Sequence, residues 1–308
     1  MFEFRTACGF KPETYQSQLL RFDRLCVMQN HSVPELTQDL VLDWLDSPAA
    51  LNNLSGNAMA IRQFGKYLAA IGEDAYVLPD KFAPHKSRHT PYIFTDGELT
   101  ALFAEIDKLP PTDEEPFLNK IAPVLFRLIY TCGLRPNEGR ELLRENVNFK
   151  TGEILIAHTK RNKERIVVMS DDMLSVAKTY NLHRGIFGSD SQYFFPAKDG
   201  GALTNSRVYA AFNRAWSNAT RTPGNSRYHP VRIYDLRHRF ASACLNRWLD
   251  EGENLTAMMP YLRTYMGHCN LSETAYYIHI LPENLVKSPG IDWDALNSIL
   301  PEVSVCPD

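Results

Sequence analysis

The chain has 308 residues, 44% hydrophobic and 22% charged, which is enough apolar material for one large core or two moderate ones; two domains are the default expectation. A formal net charge of −3 argues against a uniformly basic nucleic-acid coat, and no run approaches the roughly 20 apolar residues that a membrane span needs. The six cysteines, Cys8, Cys26, Cys132, Cys244, Cys269 and Cys306, form no CxxC pair, which argues against a disulfide framework or structural zinc and for a reducing cytoplasm.

Helical periodicity runs from Thr14 to about Met28, from Leu36 to Leu45 and from Asn57 to about Ile71, interrupted by His31-Ser32-Val33-Pro34 and Asp46-Ser47-Pro48. A small helical bundle over 1–78 is expected. Segment 79–91 contains Pro79, Pro84 and Pro91 among basic side chains, and helix cannot persist there. It is expected to be an interdomain linker whose Lys86 and Arg88 can lie against a phosphate backbone.

Thr95 and Glu98 have the spacing of a capping box and open a helix through Leu109. Ile121, Leu125, Leu128 and Ile129 then recur at helical spacing up to Gly133, which suits a left-handed stop, and Pro136 suits the first turn of the next helix. Arg135 is thereby held in a tight junction, with Glu138 one turn later to brace it. Glu153–His158 and Arg165–Met169 are strand-like and joined by a basic stretch holding Lys160, Arg161 and Lys163. This reads as a β-hairpin with a charged tip, fit to reach a groove or a leaving oxygen, although such tips also simply keep a turn soluble.

Between Thr204 and Arg247 stand Arg207, Arg214, Arg221, Arg227, Arg232, Arg237, Arg239 and Arg247 against the single acid Asp235. Inside this basic block Tyr234–Trp248 reads as an amphipathic helix, and Tyr234 and Arg237, three apart, share one face. Met266-Gly267-His268 is a glycine turn, Asn270 and Glu273 have capping-box spacing, and a short helix carrying Tyr276 and Tyr277 follows. His268, Cys269 and His279 lack metal-ligand spacing. After the breaker Ser288-Pro289-Gly290, residues Ile291–Leu300 read as a short amphipathic helix.

Taken in order, Thr131-Cys132-Gly133-Leu134-Arg135-Pro136-Asn137-Glu138, Thr159–Arg165, Asp235-Leu236-Arg237-His238, and Met266-Gly267-His268 leading to Tyr277 resemble the motif set of the tyrosine recombinases, the phage integrase family. The resemblance implies a mainly α fold with a small β-sheet (α+β). It further implies a helical, SAM-like core-binding domain over 1–78, a catalytic domain over 92–285, and a tail over 286–308 that docks on a neighbouring protomer or on its own domain. Arg135 and Arg237 correspond to the phosphate-gripping arginines, Lys160 to the hairpin lysine, His268 to the histidine after the glycine turn, and Tyr277 to the nucleophile. Tyr277 is preferred to Tyr276 because it lies two residues before His279, as in the family's Tyr-x-His ending. Glu138, Asp235 and His238 are supporting residues; Lys86, Arg88, Arg161, Lys163, Arg207 and Arg214 are candidate DNA contacts.

One position departs from the pattern: Tyr234 stands where the family usually has histidine. A phenol can donate a hydrogen bond to a phosphoryl oxygen but is a poorer proton acceptor at neutral pH than imidazole, so any base role is expected to fall to His268. The implied activity is site-specific cutting and rejoining of duplex DNA through a 3′-phosphotyrosine, without cofactor or metal. The implied assembly is a homotetramer on double-stranded DNA from a free monomer, cytoplasmic, bacterial or phage-encoded, nucleoid-associated and off the membrane. A type IB topoisomerase-like enzyme and a non-catalytic DNA-binding protein on the same fold are the alternatives. An RNA- or protein-binding helical module accounts for the composition but not for the ordered motifs.

Overall fold

Side-chain caps written into the sequence set many of the helix starts in the computed structural model, which describes residues 1–8, 15–29, 35–82, 91–157, 164–187, 190–220 and 231–277. The chain divides into two compact units, Met1–His89 and Thr90–Asp308. Lys86, Arg88, Lys160, Arg161, Lys163, the second half of the expected linker and the tail 286–308 lie outside the described residues. No helix among the described residues is long and apolar enough to cross a membrane.

The first unit contains α1 (Phe2–Ala7), α2 (Gln16–Met28), α3 (Gln38–Asp46), α4 (Pro48–Leu51) and α5 (Leu54–Ala70). The Thr37 hydroxyl accepts from Leu40 N–H, that of Ser47 from Ala50 N–H, and Asn53 Oδ1 from Gly56 N–H; the Asn53 cap is why α5 begins ahead of its apolar stripe. Val41, Trp44, Leu45, Ile61 and Leu78 fill the core of the unit. Buried Arg62 on α5 donates to the carbonyls of Leu78, Pro79 and Phe82, so the first residues of the expected linker are fastened to the bundle.

The second unit runs α6 (Asp96–Asp107), α7 (Leu118–Thr131), α8 (Pro136–Arg140), the antiparallel pair β1 (Glu153–Ile156) and β2 (Arg165–Val168), then α9 (Asp171–Phe187), α10 (Asn205–Ala219), α11 (Ile233–Asp250), α12 (Leu255–Met266) and α13 (Leu271–Ala275). The mainly helical fold, with one small sheet among the described residues, agrees with the expected class. Thr95 and Glu98 close the capping box of α6, their reciprocal bonds measuring 3.2 and 2.8 Å. At α13 the outcome differs: Asn270 Oδ1 accepts from Glu273 N–H, but the Glu273 carboxylate reaches one residue further back, to Cys269 N–H, and the expected box stays half-formed.

The apolar stripe of α7 puts Ile121, Leu125, Leu128 and Ile129 at the centre of the core, where α7 packs against α6, α9 and α11. In the hairpin Ile154 pairs with Val167, both fully buried, while Leu155, Ile166 and Val168 face outward. Two glycines fix the turns that matter for the site. Gly133, at φ +61°, ends α7 in the left-handed region, and a Cβ there would sit 2.5 Å from the Phe240 ring on α11. Gly267, at φ +65°, ends α12 in the same way.

Candidate active site

Arg135 is the N-cap residue of α8, between the Gly133 turn and Pro136. Glu138 accepts its backbone N–H at 2.8 Å through Oε2 and its Nη1 at 2.8 Å through Oε1, so the brace expected from the spacing is present. Arg237 comes from α11, whose N-terminus is held by Asp235, whose Oδ2 accepts the Arg232 backbone N–H at 2.7 Å. Asp235 is fully buried in that capping position, 4.0 Å from His238 Nε2.

A third guanidinium enters from the hairpin. Arg165, at the start of β2, forks onto Glu138 with Nη1 to Oε1 at 2.9 Å and Nη2 to Oε2 at 2.6 Å, and Arg237 Nη1 lies 4.0 Å from the same carboxylate. On the opposite side the C-terminus of α12 presents three successive carbonyls, each taken by a different arginine: Tyr265 O by Arg165 Nε, Met266 O by Arg237 Nη2, and Gly267 O by Arg135 Nη2. A helix end leaves such carbonyls without intrahelical donors and carries partial negative charge, so it can compensate buried cations. Arg237 also donates to Gly133 O at 2.6 Å, while its buried Nε–H has no acceptor among the described residues.

Within this group three positive charges face one carboxylate, an excess of two. Burial alone would raise the Glu138 carboxyl, but the hydrogen bonds and charge of Arg165, the Arg135 N–H and the Arg237 charge outweigh it and hold the group at about 2. A cluster so arranged attracts anions.

His268 follows the α12 turn, its N–H closing onto Arg263 O at 3.0 Å. Its Nε2 lies 3.2 Å from Arg237 Nη2 and its Nδ1 lies 2.8 Å from Thr274 Oγ1. Since a guanidinium only donates, Nε2 must accept and the proton sits on Nδ1, facing the threonine hydroxyl. Burial first, then the charges of Arg237, Arg135, Arg165 and His238, push the imidazole down to about 3, so it is neutral at physiological pH. A folded-state value below the ordinary 6.5 adds stability that is full above pH 6.5 and drains as pH falls toward 3. Between pH 6.5 and 4.5 unfolding free energy is expected to fall more steeply in the wild type than in His268→Asn, by up to ~1.4 kcal/mol per pH unit. Urea titrations of both proteins across that window measure it; parallel curves would refute the assignment.

Tyr277 follows α13 directly and is buried, its ring stacked on His268 at 5.9 Å between centroids with 19° between planes, and 5.3 Å from His238. Burial raises its phenol above the ordinary range; the positive charge of Arg237 pulls the other way. Tyr276 is half-buried. Tyr234, on the first turn of α11, places its ring 5.1 Å from that of His238 and 6.0 Å from the Arg237 guanidinium carbon.

The structure thus gathers Arg135, Glu138, Tyr234, Arg237, His238, His268 and Tyr277, with Asp235 beneath them. Arg207 and Arg214 belong to α10, where Arg207 is ion-paired with Glu115 at 2.5 Å and Arg214 is exposed. Arg165 had not been singled out from the sequence. Its position was the available signal: alternation with Val167 turns it to the inner face of β2, an unusual place for a charge.

Comparison with known proteins gives a consistent result. The sequence profile of the phage integrase family matches residues 94–284. A putative integrase/recombinase, y4rB, of Sinorhizobium fredii is 27% identical over 291 residues, covering 91% of each chain. Tyrosine recombinase XerD of Rhizobium meliloti is 29% identical over 230 residues, 73% of this chain and 69% of that one. Among solved structures, the XerH site-specific recombinase in a post-cleavage complex with palindromic difH substrate superposes with a TM-score of 0.64 at 19% identity, covering 92% of this chain and 80% of that one. A lambda integrase tetramer bound to a Holliday junction superposes with 0.56 at 12% identity, covering 85% and 71%.

Proposed function

The chain belongs to the phage integrase family, and from that premise we infer that it is a site-specific recombinase that cuts and rejoins duplex DNA with Tyr277 as nucleophile. The observation that carries this reading is the cage itself, in which the buried Tyr277 ring stacks on His268, which contacts Arg237, one of three guanidiniums gathered around a single carboxylate.

Attack of the Tyr277 oxygen on the scissile phosphorus places added negative charge on the nonbridging oxygens. Arg135 and Arg237 can meet that charge with charge-assisted hydrogen bonds, a type of stabilisation worth on the order of 100- to 1000-fold per donor lost. The phenol proton must leave as the bond forms, and neutral His268, with a lone pair on Nε2 once Arg237 turns to the phosphate, is the acceptor we assign. The 5′ oxygen departs with a proton, for which Lys160 is the candidate donor. The products are a 3′-phosphotyrosine and a free 5′ hydroxyl. Because the ester bond energy is kept in the covalent link, religation to another 5′ end requires no nucleotide.

Strand exchange between two duplexes calls for four such sites, so we assign a homotetramer assembled on DNA from free monomers. The first unit is assigned core-site binding, and Lys86, Arg88, Arg161, Lys163 and Arg214 are assigned phosphate contacts that fix register without reading sequence. Arg207 would have to release Glu115 to join them. We assign the protein, bacterial or phage-encoded, to the cytoplasm with its DNA, at the nucleoid.

The direct test is incubation with a nicked substrate whose cleaved fragment diffuses away: a gel-stable protein–DNA adduct with a free 5′ hydroxyl is expected, and its absence over candidate core sites would defeat the reading. The role of Tyr234 is tested alongside. Tyr234→Phe keeps the ring against His238 but loses the hydroxyl that could donate to the phosphoryl oxygen, and is expected to slow cleavage about 10-fold, or ~1.4 kcal/mol, the low end for a hydrogen bond to a charged group. Cleavage at the wild-type rate would make Tyr234 a packing residue.

A further inference from the structure

Arg165 is the arginine of the cage that no role in the reaction accounts for. Its side chain is 7% exposed, against 30% for Arg135, and its hydrogen bonds all point inward: Nε to Tyr265 O at 2.8 Å, Nη1 to Glu138 Oε1 at 2.9 Å and Nη2 to Glu138 Oε2 at 2.6 Å. A phosphate could engage it only if this fork were broken.

The fork matters because of what else the carboxylate holds. Glu138 accepts four bonds, two from Arg165 and two from Arg135, which fills the lone-pair sites of an ionised carboxylate. Without Arg165 half of those sites empty, the carboxylate can turn about its own axis, and Arg237 Nη1, 4.0 Å away, becomes an alternative partner. The same side chain fastens the other wall of the cage. Its Nε bond holds the last turn of α12, and a Cβ on Gly267 would come within 3.1 Å of its Nη1, so guanidinium and turn are in packed contact. Gly267 supplies the carbonyl that takes Arg135 Nη2. Both hydrogen bonds that orient the Arg135 guanidinium therefore end on groups that Arg165 fixes.

We propose that Arg165 is a positioning residue: it locks Glu138 and the Gly267 turn in place and through them aims Arg135 at the nonbridging oxygens of the scissile phosphate. The proposal rests on the phosphate-binding role given above to Arg135. Lysine cannot replace Arg165, since a point charge cannot span both carboxylate oxygens and the Tyr265 carbonyl together.

The test is single-turnover cleavage at saturating DNA by the wild type, Arg165→Ala, Arg165→Lys and Arg135→Ala, each on a normal scissile phosphate and on a methylphosphonate, in which one charged oxygen is replaced by methyl. Misaiming by about 1 Å can cost on the order of 100-fold, so both Arg165 variants are expected to lose ~10- to 100-fold in cleavage rate on phosphate. DNA affinity is expected to stay within about 2-fold, because the hydrogen bonds of the residue among the described residues all go to Glu138 and the end of α12. On the methylphosphonate the gap to wild type should close for Arg165→Ala as for Arg135→Ala, since there is less charge to meet. Where Arg165→Ala melts too low to assay, Arg165→Lys, which retains the charge, decides. Wild-type cleavage by the variants, or a folded variant whose deficit is the same on both substrates while that of Arg135→Ala closes, overturns this proposal alone. A deficit in Arg135→Ala that the methylphosphonate leaves unchanged overturns the role of Arg135, and this proposal with it.

Discussion

A Tyr277→Phe protein is expected to form no covalent adduct on a nicked core-site substrate, whereas Tyr276→Phe forms it at close to the wild-type level. The substitution removes one oxygen. Phenylalanine keeps the stack on His268 and the contact with His238, so the fold and the shape of the cage should persist, and loss of the adduct cannot be laid to unfolding. Tyr277 is the tyrosine stacked on His268, and burial keeps its phenol protonated in the free protein, so in the proposed reaction its proton leaves only as the phosphate arrives and Nε2 of His268 is released. The rate loss should exceed that of any other single change in the cage, because no neighbouring group can take over the bond to phosphorus. Denaturing gels with end-labelled DNA measure it; an adduct that survives in Tyr277→Phe and disappears in Tyr276→Phe would shift the nucleophile by one residue and require a different register for the end of α13.

Whether a part of this cage could be read from sequence depends on whether its geometry is local. Arg135, with Pro136 after it and Glu138 one turn on, sets its own brace within four residues, and the Thr95–Glu98 box and Gly133 stop are local in the same sense. Helix α12 escaped because Pro260 interrupts its pattern like a breaker, although it is tolerated inside the helix. Helix α9 escaped because Val176, Leu182 and Ile186 are exposed and blur its periodicity. The deepest omission follows from chemistry that has no letter: three counter-groups of the arginines are the backbone carbonyls of Tyr265, Met266 and Gly267, whose side chains give no hint of them. The partnership of Arg165 with Glu138 spans 27 positions and exists only once β2 lies beside α8.

Because so much of the cage leans on one carboxylate, Glu138→Gln is expected to be the most destabilising substitution in it. Glutamine is nearly isosteric and can still accept through its amide oxygen, but its NH₂ would point a donor at guanidinium groups that have nothing to accept it, and three cations would lose the charge they share. Breaking a buried ion pair on one side typically costs ~3–5 kcal/mol. The lowered carboxyl gives an independent figure of the same size: the difference between 4.5 and about 2, at ~1.4 kcal/mol per unit, is ~3.5 kcal/mol. The sign of the pH dependence follows. A carboxyl held below its unfolded value contributes fully above pH 4.5 and loses that contribution as pH falls toward 2, so the wild-type advantage over Glu138→Gln should be constant from neutrality to about pH 4.5 and shrink below it. Urea unfolding of the two proteins at pH 7, 5 and 3.5 would show it. A gap that held its size at the lowest pH would mean that Glu138 acts through shape rather than charge, and the three arginines would then owe their places mainly to the end of α12.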